Sequence, residues 1–186
     1  MSYTYKYPHP AVAADCVVFG FDGHEMQVLL IERGQEPFKG CWAFPGGFMN
    51  IDESAEDCAK RELMEETSLH VQLLKQLGAF SAVHRDPRER VISVVFFALV
   101  KPSDVRGGDD ASKAKWFPLR DVPQLAFDHD LILRKAIQKL KEDIYLELVG
   151  FKSRDREFAE AELQQLYLAI DPKVEDAHNN RQSQFD

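Results

Sequence analysis

Carboxylates in one short stretch suggest the chemistry of this chain. Glu62, Glu65 and Glu66 follow Arg61 directly, within the sequence GFMNIDESAEDCAKRELMEETSL at residues 47–69. On a helix, Glu62 and Glu66 are one turn apart, about 6 Å along the axis, and Glu65 can point to the same side. Like charges at that spacing repel unless a cation joins them, and Mg²⁺ and Mn²⁺ prefer clustered carboxylate oxygens. This acidic segment (residues 47–69) therefore predicts a divalent metal site.

A helix is needed to hold these carboxylates on one side. Ser54 is a natural N-cap, and Asp57 three residues later completes a variant capping box. Small and apolar residues then recur at the three-and-four spacing of one buried helical stripe. They are Ala55, Cys58, Ala59 and Leu63. The acidic segment is therefore predicted to form an amphipathic helix.

The fixed residues of the acidic segment also match a known motif. The pattern Gly-x5-Glu-x7-Arg-Glu-Leu-x-Glu-Glu-x-x-Leu, from Gly47 to Leu69, resembles the Nudix box of the Nudix hydrolases. At usual residue frequencies, its six fixed Gly, Glu and Arg positions would coincide in a given window about once in ten million. One position departs from the family. Ser68 stands where a glycine usually adopts a left-handed conformation, which costs another residue roughly 1 kcal/mol.

The resemblance implies a fold, a reaction and a set of site residues. The fold would be a Nudix-type α/β/α sandwich around a mixed, curved β-sheet. The reaction would be metal-assisted attack of water on a diphosphate linked to another moiety. Arg61 would orient the carboxylates, and Glu53 would support the loop from behind. The implied ligands of Mg²⁺ or Mn²⁺ are the carbonyl of Gly46 and the carboxylates of Glu62, Glu65 and Glu66.

The connector at residues 84–90 is locally basic in a chain that is acidic overall. It carries three arginines, namely Arg85, Arg88 and Arg90. Guanidinium groups bind phosphate or carboxylate through paired hydrogen bonds, so the connector is a candidate substrate-binding site. A solvated hairpin tip is the alternative reading.

Other candidate residues are less specific. Phe127 and His129 lie at the predicted start of a helix, where an exposed N-terminus favours anions, but a capping or structural histidine fits equally well. Trp42 is either a core residue or a substrate-facing ring, with core favoured. In the family, a carboxylate from the loop at 101–113 often completes the metal site or acts as the base. Asp109 and Asp110 are the positional candidates, although Asp-Asp before a strand is also ordinary turn chemistry.

The elements around the acidic segment alternate between strands and helices. Period-two and apolar runs predict strands, and three-and-four spacing predicts helices. The predicted strands are 11–21 and 25–33 in a hairpin, a short strand at 42–47, long strands at 71–83 and 91–100, and a short strand at 114–119. The predicted helices after the acidic segment run from about 130 to 148 and from about 157 to 170.

Length and charge limit the domain organisation and the partners. With 186 residues and a net charge of -8, we expect one Nudix hydrolase domain at 1–150, followed by a short C-terminal helix and polar tail at 151–186. The acidic surface makes nucleic acid and membrane partners unexpected. The N-terminus lacks the order of a signal peptide, so a cytoplasmic location is expected. Cys16, Cys41 and Cys58 are predicted to be buried free thiols.

A narrower resemblance concerns the second half of the chain. The connector RDPRERV, the helix start AFDHDLIL and the sequence FAEAELQQLYLAI resemble one Nudix subgroup. That subgroup includes ADP-ribose pyrophosphatases and the ADP-ribose-sensing transcription regulators of NAD metabolism. The resemblance implies ADP-ribose as the substrate, with AMP and ribose 5-phosphate as products. NADH, a sugar nucleotide or an oxidised nucleotide are alternatives.

The subgroup also suggests functions other than hydrolysis. In its regulators, the segment corresponding to 151–186 begins a winged-helix DNA-binding domain. Here that segment is expected to be truncated to roughly the first helix, and it carries five basic against eight acidic residues. A DNA-reading surface should be basic. A regulator that binds ADP-ribose without turnover is therefore an alternative, as is a scaffold with a vestigial box. Subgroup members are commonly dimers, so a homodimer is also expected.

Overall fold

The computed structural model describes residues 6–108, 111–148 and 160–170. Within those ranges the chain forms strands and helices in an order close to the predicted one. The strands are β1 (Ala11–Phe21), β2 (Met26–Arg33), β3 (Trp42–Ala43), β4 (Gly46–Phe48), β5 (Lys75–Phe80), β6 (Val91–Val100) and β7 (Ala111–Pro118). The helices are α1 (Ala55–Thr67), α2 (His129–Leu148) and α3 (Glu160–Ile170), with a short 3-10 helix at Leu119–Asp121.

The strands form one mixed sheet, as predicted. Strands β3, β2, β1, β6 and β5 lie side by side in that order, while β4 pairs with β1 and β7 pairs with β2. The pairing of β1 with β6 is parallel, and the other pairings are antiparallel. Because β4 pairs with β1, the start of the acidic segment lies directly against the middle of the sheet.

Strand β1 is buried on both faces, which explains its nearly continuous apolar sequence. On one face Ala14, Cys16 and Val18 pack against α1, and on the other Val17 and Phe19 pack against α2 and α3. The alternation follows from the period of two along a strand. Helix layers therefore cover both sides of the sheet, which is the predicted α/β/α sandwich.

Some predicted bounds were wrong. The strand predicted at 71–83 is limited to β5, because Val71 and Leu74 pack beneath α1 without joining the ladder. In contrast, β7 begins earlier than predicted, because its pairing with β2 extends as far as Arg33 opposite Ala111. Cys16 and Cys58 are buried as predicted, but Cys41 is exposed because it lies in the loop before β3.

Helix α3 belongs to the same core as the sheet. Leu166 and Ile170 are buried and pack in the cluster that contains Leu140 and Ile144 of α2. The boundary proposed at residue 150 remains a prediction, and residues 149–159 and 171–186 lie outside the described residues. None of the helices described is both long enough and apolar enough to cross a bilayer.

Candidate active site

Both ends of α1 follow from local chemistry. The Ser54 side chain accepts a hydrogen bond from the Asp57 backbone N–H at 3.1 Å, so the predicted N-cap is confirmed. The Asp57 carboxylate accepts a hydrogen bond from the Ser54 hydroxyl at 2.6 Å, in place of the backbone N–H used in a capping box. At the other end, Ser68 adopts a left-handed conformation with φ 60°, and its N–H donates to the Met64 carbonyl at 2.9 Å. These caps fix where the helix begins and ends, while its buried residues Cys58, Ala59 and Leu63 fix which face it turns to the sheet.

Arg61 organises three of the carboxylates. Its Nε and Nη2 donate to Glu53 at 2.9 and 2.7 Å, while its Nη1 donates to Glu62 at 2.7 Å and to Glu65 at 3.0 Å. The hydrogen bonds from Arg61, supported by the Asn50 N–H, lower the pKa of Glu53 to about 2. Arg61 therefore sits between the carboxylates as the resemblance implies, and Glu53 holds Arg61 from the other side.

The surroundings of Glu66 differ from those of Glu53. It is only 5% exposed, and its Oε2 accepts a hydrogen bond from the Gly46 N–H at 2.9 Å. Burial, together with the nearby carboxylates of Glu62 and Asp15, raises the pKa of Glu66 to about 8. Burial likewise raises the pKa of Glu62. A buried carboxylate without a cation partner is unstable in its charged form, so this end of the helix favours an added positive charge.

The backbone of β4 faces Glu66. In the antiparallel pairing of β1 with β4, the Cys16 N–H donates to the Pro45 carbonyl at 2.8 Å and the Met49 N–H to the Val12 carbonyl at 2.9 Å. The intervening Gly46 is therefore in a pair whose N–H and carbonyl both point away from β1. Since its N–H meets Glu66, its carbonyl is directed to the same side.

The residues present fit a divalent metal ion. The donors at this point are carboxylate and carbonyl oxygens, the kind that Mg²⁺ and Mn²⁺ prefer. A Cβ atom at Gly47 would collide with the Glu62 carboxylate, and one at Gly46 would collide with Asp15. Both glycines are therefore required for the close approach of backbone and carboxylates. Glu65 is more exposed and is held by Arg61 instead.

The described side chains do not form a complete metal cage by themselves. No group of three or more His, Cys, Asp or Glu residues within the described ranges is gathered around a common point. The reason is visible in the ion pairs, because Arg61 engages Glu62 and Glu65. The predicted candidates Asp109 and Asp110 lie outside the described residues.

A cavity of about 200 Å³ opens beside these carboxylates. Acidic residues, arginines and aromatic rings all line it. The lining residues that matter here are Asp15, Glu62, Glu66, Arg33, Arg85, Arg88, Phe48, Phe127 and His129. The cavity therefore joins a metal-binding type of surface to an anion-binding and ring-binding type of surface.

The three connector arginines have different surroundings. Arg85 is buried and donates two hydrogen bonds to Asp128, at 3.0 and 2.6 Å. Arg88 makes the same kind of forked contact with Asp86, at 3.0 and 2.7 Å. Arg90 donates to a backbone carbonyl at 3.1 Å and does not line the cavity. The structure thus places Arg85 and Arg88 at the cavity, each already engaged by a carboxylate.

His129 and Phe127 also lie at the cavity. The Nδ1 atom of His129 accepts a hydrogen bond from the Phe44 N–H at 3.1 Å, so the ring proton is assigned to Nε2, which lies 3.9 Å from an oxygen of Asp15. Burial lowers the pKa of His129, which favours this neutral form. Phe127 has a φ of 55°, uncommon for a bulky residue, and its ring lies 5.6 Å from that of His129.

Trp42 is placed apart from the other candidates. Its ring packs edge-on against Phe117 at 4.6 Å, next to the core cluster, and it does not line the cavity. This position agrees with the core reading of Trp42.

Asp15 and Arg33 are among the cavity residues that were not predicted from the sequence. Asp15 is 8% exposed, accepts a short hydrogen bond from the Ser93 hydroxyl and lies near Glu66. A signal existed, because a single carboxylate within the apolar run AVAADCVVFGF is unusual in a strand buried on both faces. Arg33 ends β2 and gave no such signal.

Comparisons with known proteins agree with this geometry. Residues 9–140 match the sequence profile of the NUDIX domain. The chain is 44% identical over 128 residues to an ADP-ribose pyrophosphatase of Methanocaldococcus jannaschii, covering 69% of this chain and 73% of that protein.

A second relative matches a longer part of the chain. It is the ADPR responsive transcriptional repressor NtrR of Acinetobacter baylyi, 31% identical over 169 residues, which cover 88% of this chain and 68% of the repressor. Among solved structures, the NUDIX domain of Shewanella oneidensis NrtR, crystallised with ADP ribose, superposes with a TM-score of 0.70 at 33% identity. That match covers 74% of this chain and 94% of the NrtR domain.

Proposed function

The chain belongs to the Nudix family, and from this membership we propose that it hydrolyses ADP-ribose to AMP and ribose 5-phosphate with Mg²⁺ or Mn²⁺. The observation that carries the proposal is the position of Glu66, a buried carboxylate beside the Gly46 backbone at the edge of a cavity. The choice of substrate is supported by the 44% identity to an ADP-ribose pyrophosphatase over most of both chains.

Glu62, Glu66 and the Gly46 carbonyl would hold the divalent ion, and Glu65 would contact a further ion directly or through water. When bound, such an ion neutralises diphosphate oxygens and lowers the pKa of a water molecule. The chain's own residues supply orientation. Arg61 directs the carboxylate of Glu62, while the Gly46 N–H fixes one oxygen of Glu66.

Burial of the cavity-lining groups would also strengthen their interaction with a bound ion. A cavity wall that is closed to solvent strengthens the interaction between carboxylates and cations, because the effective dielectric constant is lower there than in water. Asp128 holds Arg85 rigidly at this wall, and Phe44 fixes the ring of His129. The substrate therefore meets groups whose directions are set before it binds.

A second candidate function has a specific observation in its favour. The similarity to the NtrR repressor extends over 169 residues, beyond the part matched by the NUDIX profile. A protein that senses ADP-ribose without hydrolysing it would bind the nucleotide in the same cavity. Such a sensor would bind ADP-ribose and Mg²⁺ without releasing AMP, and its affinity for DNA would change with the nucleotide.

The test is an assay of nucleotide diphosphates with Mg²⁺, in which release of phosphate monoesters is measured. ADP-ribose should be hydrolysed faster than NADH, sugar nucleotides and oxidised nucleotides, and its products should be AMP and ribose 5-phosphate. Chelation of the metal should abolish turnover. If ADP-ribose is inert while another compound reacts, the substrate is wrong and the reaction class stands.

Assembly and partners are also proposals. From the subgroup resemblance we propose a homodimer that does not bind nucleic acid. Light scattering with the full chain would give the mass in solution, which should be twice 21.3 kDa. A gel-shift assay with duplex DNA, with and without ADP-ribose, would detect the activity of a sensor.

A further inference from the structure

Arg33 differs from the other arginines of the cavity. Arg85 is held by Asp128, and Arg88 is held by Asp86. In the described part of the chain, no carboxylate oxygen lies within 4.0 Å of the Arg33 guanidinium. Arg33 is therefore a cavity-lining cation without an ion-pair partner among those residues.

The contacts of Arg33 fix its direction and leave donors uncommitted. Its Nε donates to the Pro37 carbonyl at 2.9 Å, and its Nη2 donates to the Gln35 carbonyl at 3.5 Å. The guanidinium also lies 4.8 Å from the centre of the Phe127 ring. A guanidinium has five N–H donors, so most of them are not used by these two carbonyls. The remaining donors are available at the cavity.

The position is electrostatically costly as it stands. Arg33 is half-buried, and burial lowers the pKa of its guanidinium, as does the like charge of nearby Arg88. Glu66 lines the same cavity, and the carboxylates of Glu66, Asp86 and Asp15 offset part of this lowering. An anionic ligand beside Arg33 and Arg88 would relieve the repulsion of the two guanidinium groups, provided that a metal neutralises the cavity carboxylates.

We propose that Arg33 binds a phosphate oxygen of the nucleoside diphosphate, with its guanidinium supported by Phe127 and aimed by the loop carbonyls. The inference rests on the proposed function, because it requires a diphosphate in this cavity. A planar guanidinium can form two parallel hydrogen bonds to a phosphate. Arg33 would thus act where Arg85 and Arg88 are already engaged by carboxylates.

A purely structural role is the competing explanation. Since Arg33 contacts the carbonyls of Gln35 and Pro37, it also fastens the loop that follows β2. Loss of that contact would disturb the cavity wall for any ligand, charged or uncharged. A phosphate contact would matter only for ligands that carry phosphate. Comparison of ADP with adenosine separates the two roles.

The experiment measures binding of ADP and of adenosine by calorimetry in Mg²⁺, for wild type, Arg33→Gln and Arg33→Lys. Loss of a charged hydrogen bond should weaken ADP binding roughly tenfold or more in Arg33→Gln. Arg33→Lys keeps the positive charge but cannot form two parallel hydrogen bonds, so its ADP affinity should lie between those of wild type and Arg33→Gln. Adenosine affinity should not change. Arg134→Gln is the matched control, because Arg134 is exposed on α2 and lies outside the cavity lining.

Each outcome decides the proposal. Unchanged ADP affinity in both Arg33 variants would overturn it, as would equal losses for ADP and adenosine, which would indicate a loop-fastening role. If Arg33→Gln does not fold, Arg33→Lys decides by the same ADP-to-adenosine ratio. The measurement does not depend on which nucleotide is hydrolysed. If ADP-ribose proves inert while Arg33→Gln still loses ADP selectively, the proposed substrate fails and the role of Arg33 stands.

Discussion

Glu53 and Glu66 belong to the same acidic segment, but their surroundings are opposite. Glu53 receives two hydrogen bonds from Arg61 and one from the Asn50 N–H, and its pKa falls to about 2. Glu66 receives one hydrogen bond, from the Gly46 N–H, and burial raises its pKa to about 8. The protein itself neutralises one carboxylate and keeps the other buried beside a cavity. Identical side chains therefore lie in contrasting surroundings, which is the basis for the supporting role that we propose for Glu53 and the metal-binding role that we propose for Glu66.

Removing the charge of Glu66 should have the largest effect. Glu66→Gln keeps an oxygen that can accept the Gly46 N–H but loses the negative charge, so turnover of ADP-ribose at saturating Mg²⁺ should fall at least about a hundredfold. Steady-state kinetics would measure this. The matched control is Glu56→Gln on the same helix, because Glu56 is exposed and pairs only with Lys60 among the described residues. A loss below tenfold in Glu66→Gln would mean that the metal site is elsewhere.

The raised pKa of Glu66 should also appear in the stability of the folded protein. Its pKa is raised above the unfolded value, so the folded state binds more protons between about pH 4.5 and 8. The free energy of unfolding should therefore fall as pH rises through that window when divalent ions are absent. One pKa unit corresponds to about 1.4 kcal/mol.

Urea unfolding in EDTA at pH 5 and pH 8 would measure this dependence. Wild type should lose more stability than Glu66→Gln over that interval, because the other titrating groups are common to both proteins. Added Mg²⁺ should restore the stability of wild type at pH 8. Identical pH profiles for the two proteins would contradict the buried position of Glu66.

Replacement of Glu53 should have a smaller effect. Glu53→Gln weakens the hold on Arg61, but Arg61 keeps its contacts to Glu62 and Glu65. Turnover or Mg²⁺ affinity should fall roughly tenfold, as for other residues that orient metal ligands. Kinetics as a function of Mg²⁺ concentration would show the loss. A loss of turnover as large as that of Glu66→Gln would contradict the different roles predicted for Glu53 and Glu66.

The smallest expected effect concerns the end of α1 next to Glu66. Ser68 is in the left-handed region, where glycine has no steric penalty, so Ser68→Gly should relieve about 1 kcal/mol. Glycine's greater freedom in the unfolded chain offsets part of that gain. A slight rise in melting temperature with unchanged turnover is expected, with Ser68→Ala as a control that should give no rise. A large change in turnover would show that the Glu66 carboxylate depends on this turn.

Local patterns predicted much of this molecule. The cap at Ser54 and the apolar runs of strands β1 and β6 are local patterns, and the sequence predicted them. The sequence left the end of α1 in doubt at Ser68, and the structure shows that Ser68 adopts the left-handed conformation usual for glycine there. The extent of β5 depends instead on whether Val71 pairs with a distant strand or packs beneath a helix. That choice is made by tertiary contacts, which no local pattern encodes.

The candidate site could be predicted in part. The sequence predicted that Gly46, Glu62 and Glu66 lie close together, and they line one cavity in the structure, because their spacing along the chain fixes their spacing in the helix and turn. The arginines could not be ranked, since their roles depend on partners far away in sequence. Arg85 is engaged by Asp128, whereas Arg33 has no such partner in the residues described. A sequence shows which residues are charged, but it does not show which of them form ion pairs with each other.

The parallel pairing of β1 with β6 affects how the protein folds and when its cavity forms. Ala11 pairs with Val91, and β4, α1 and most of the cavity wall lie between these two strands in the chain. Closing so long a loop costs chain entropy, so we expect this pairing to form late in folding. The complete cavity should therefore be absent until the two strands have paired. During refolding, we therefore expect hydrolysis to return together with the pairing of the central strands.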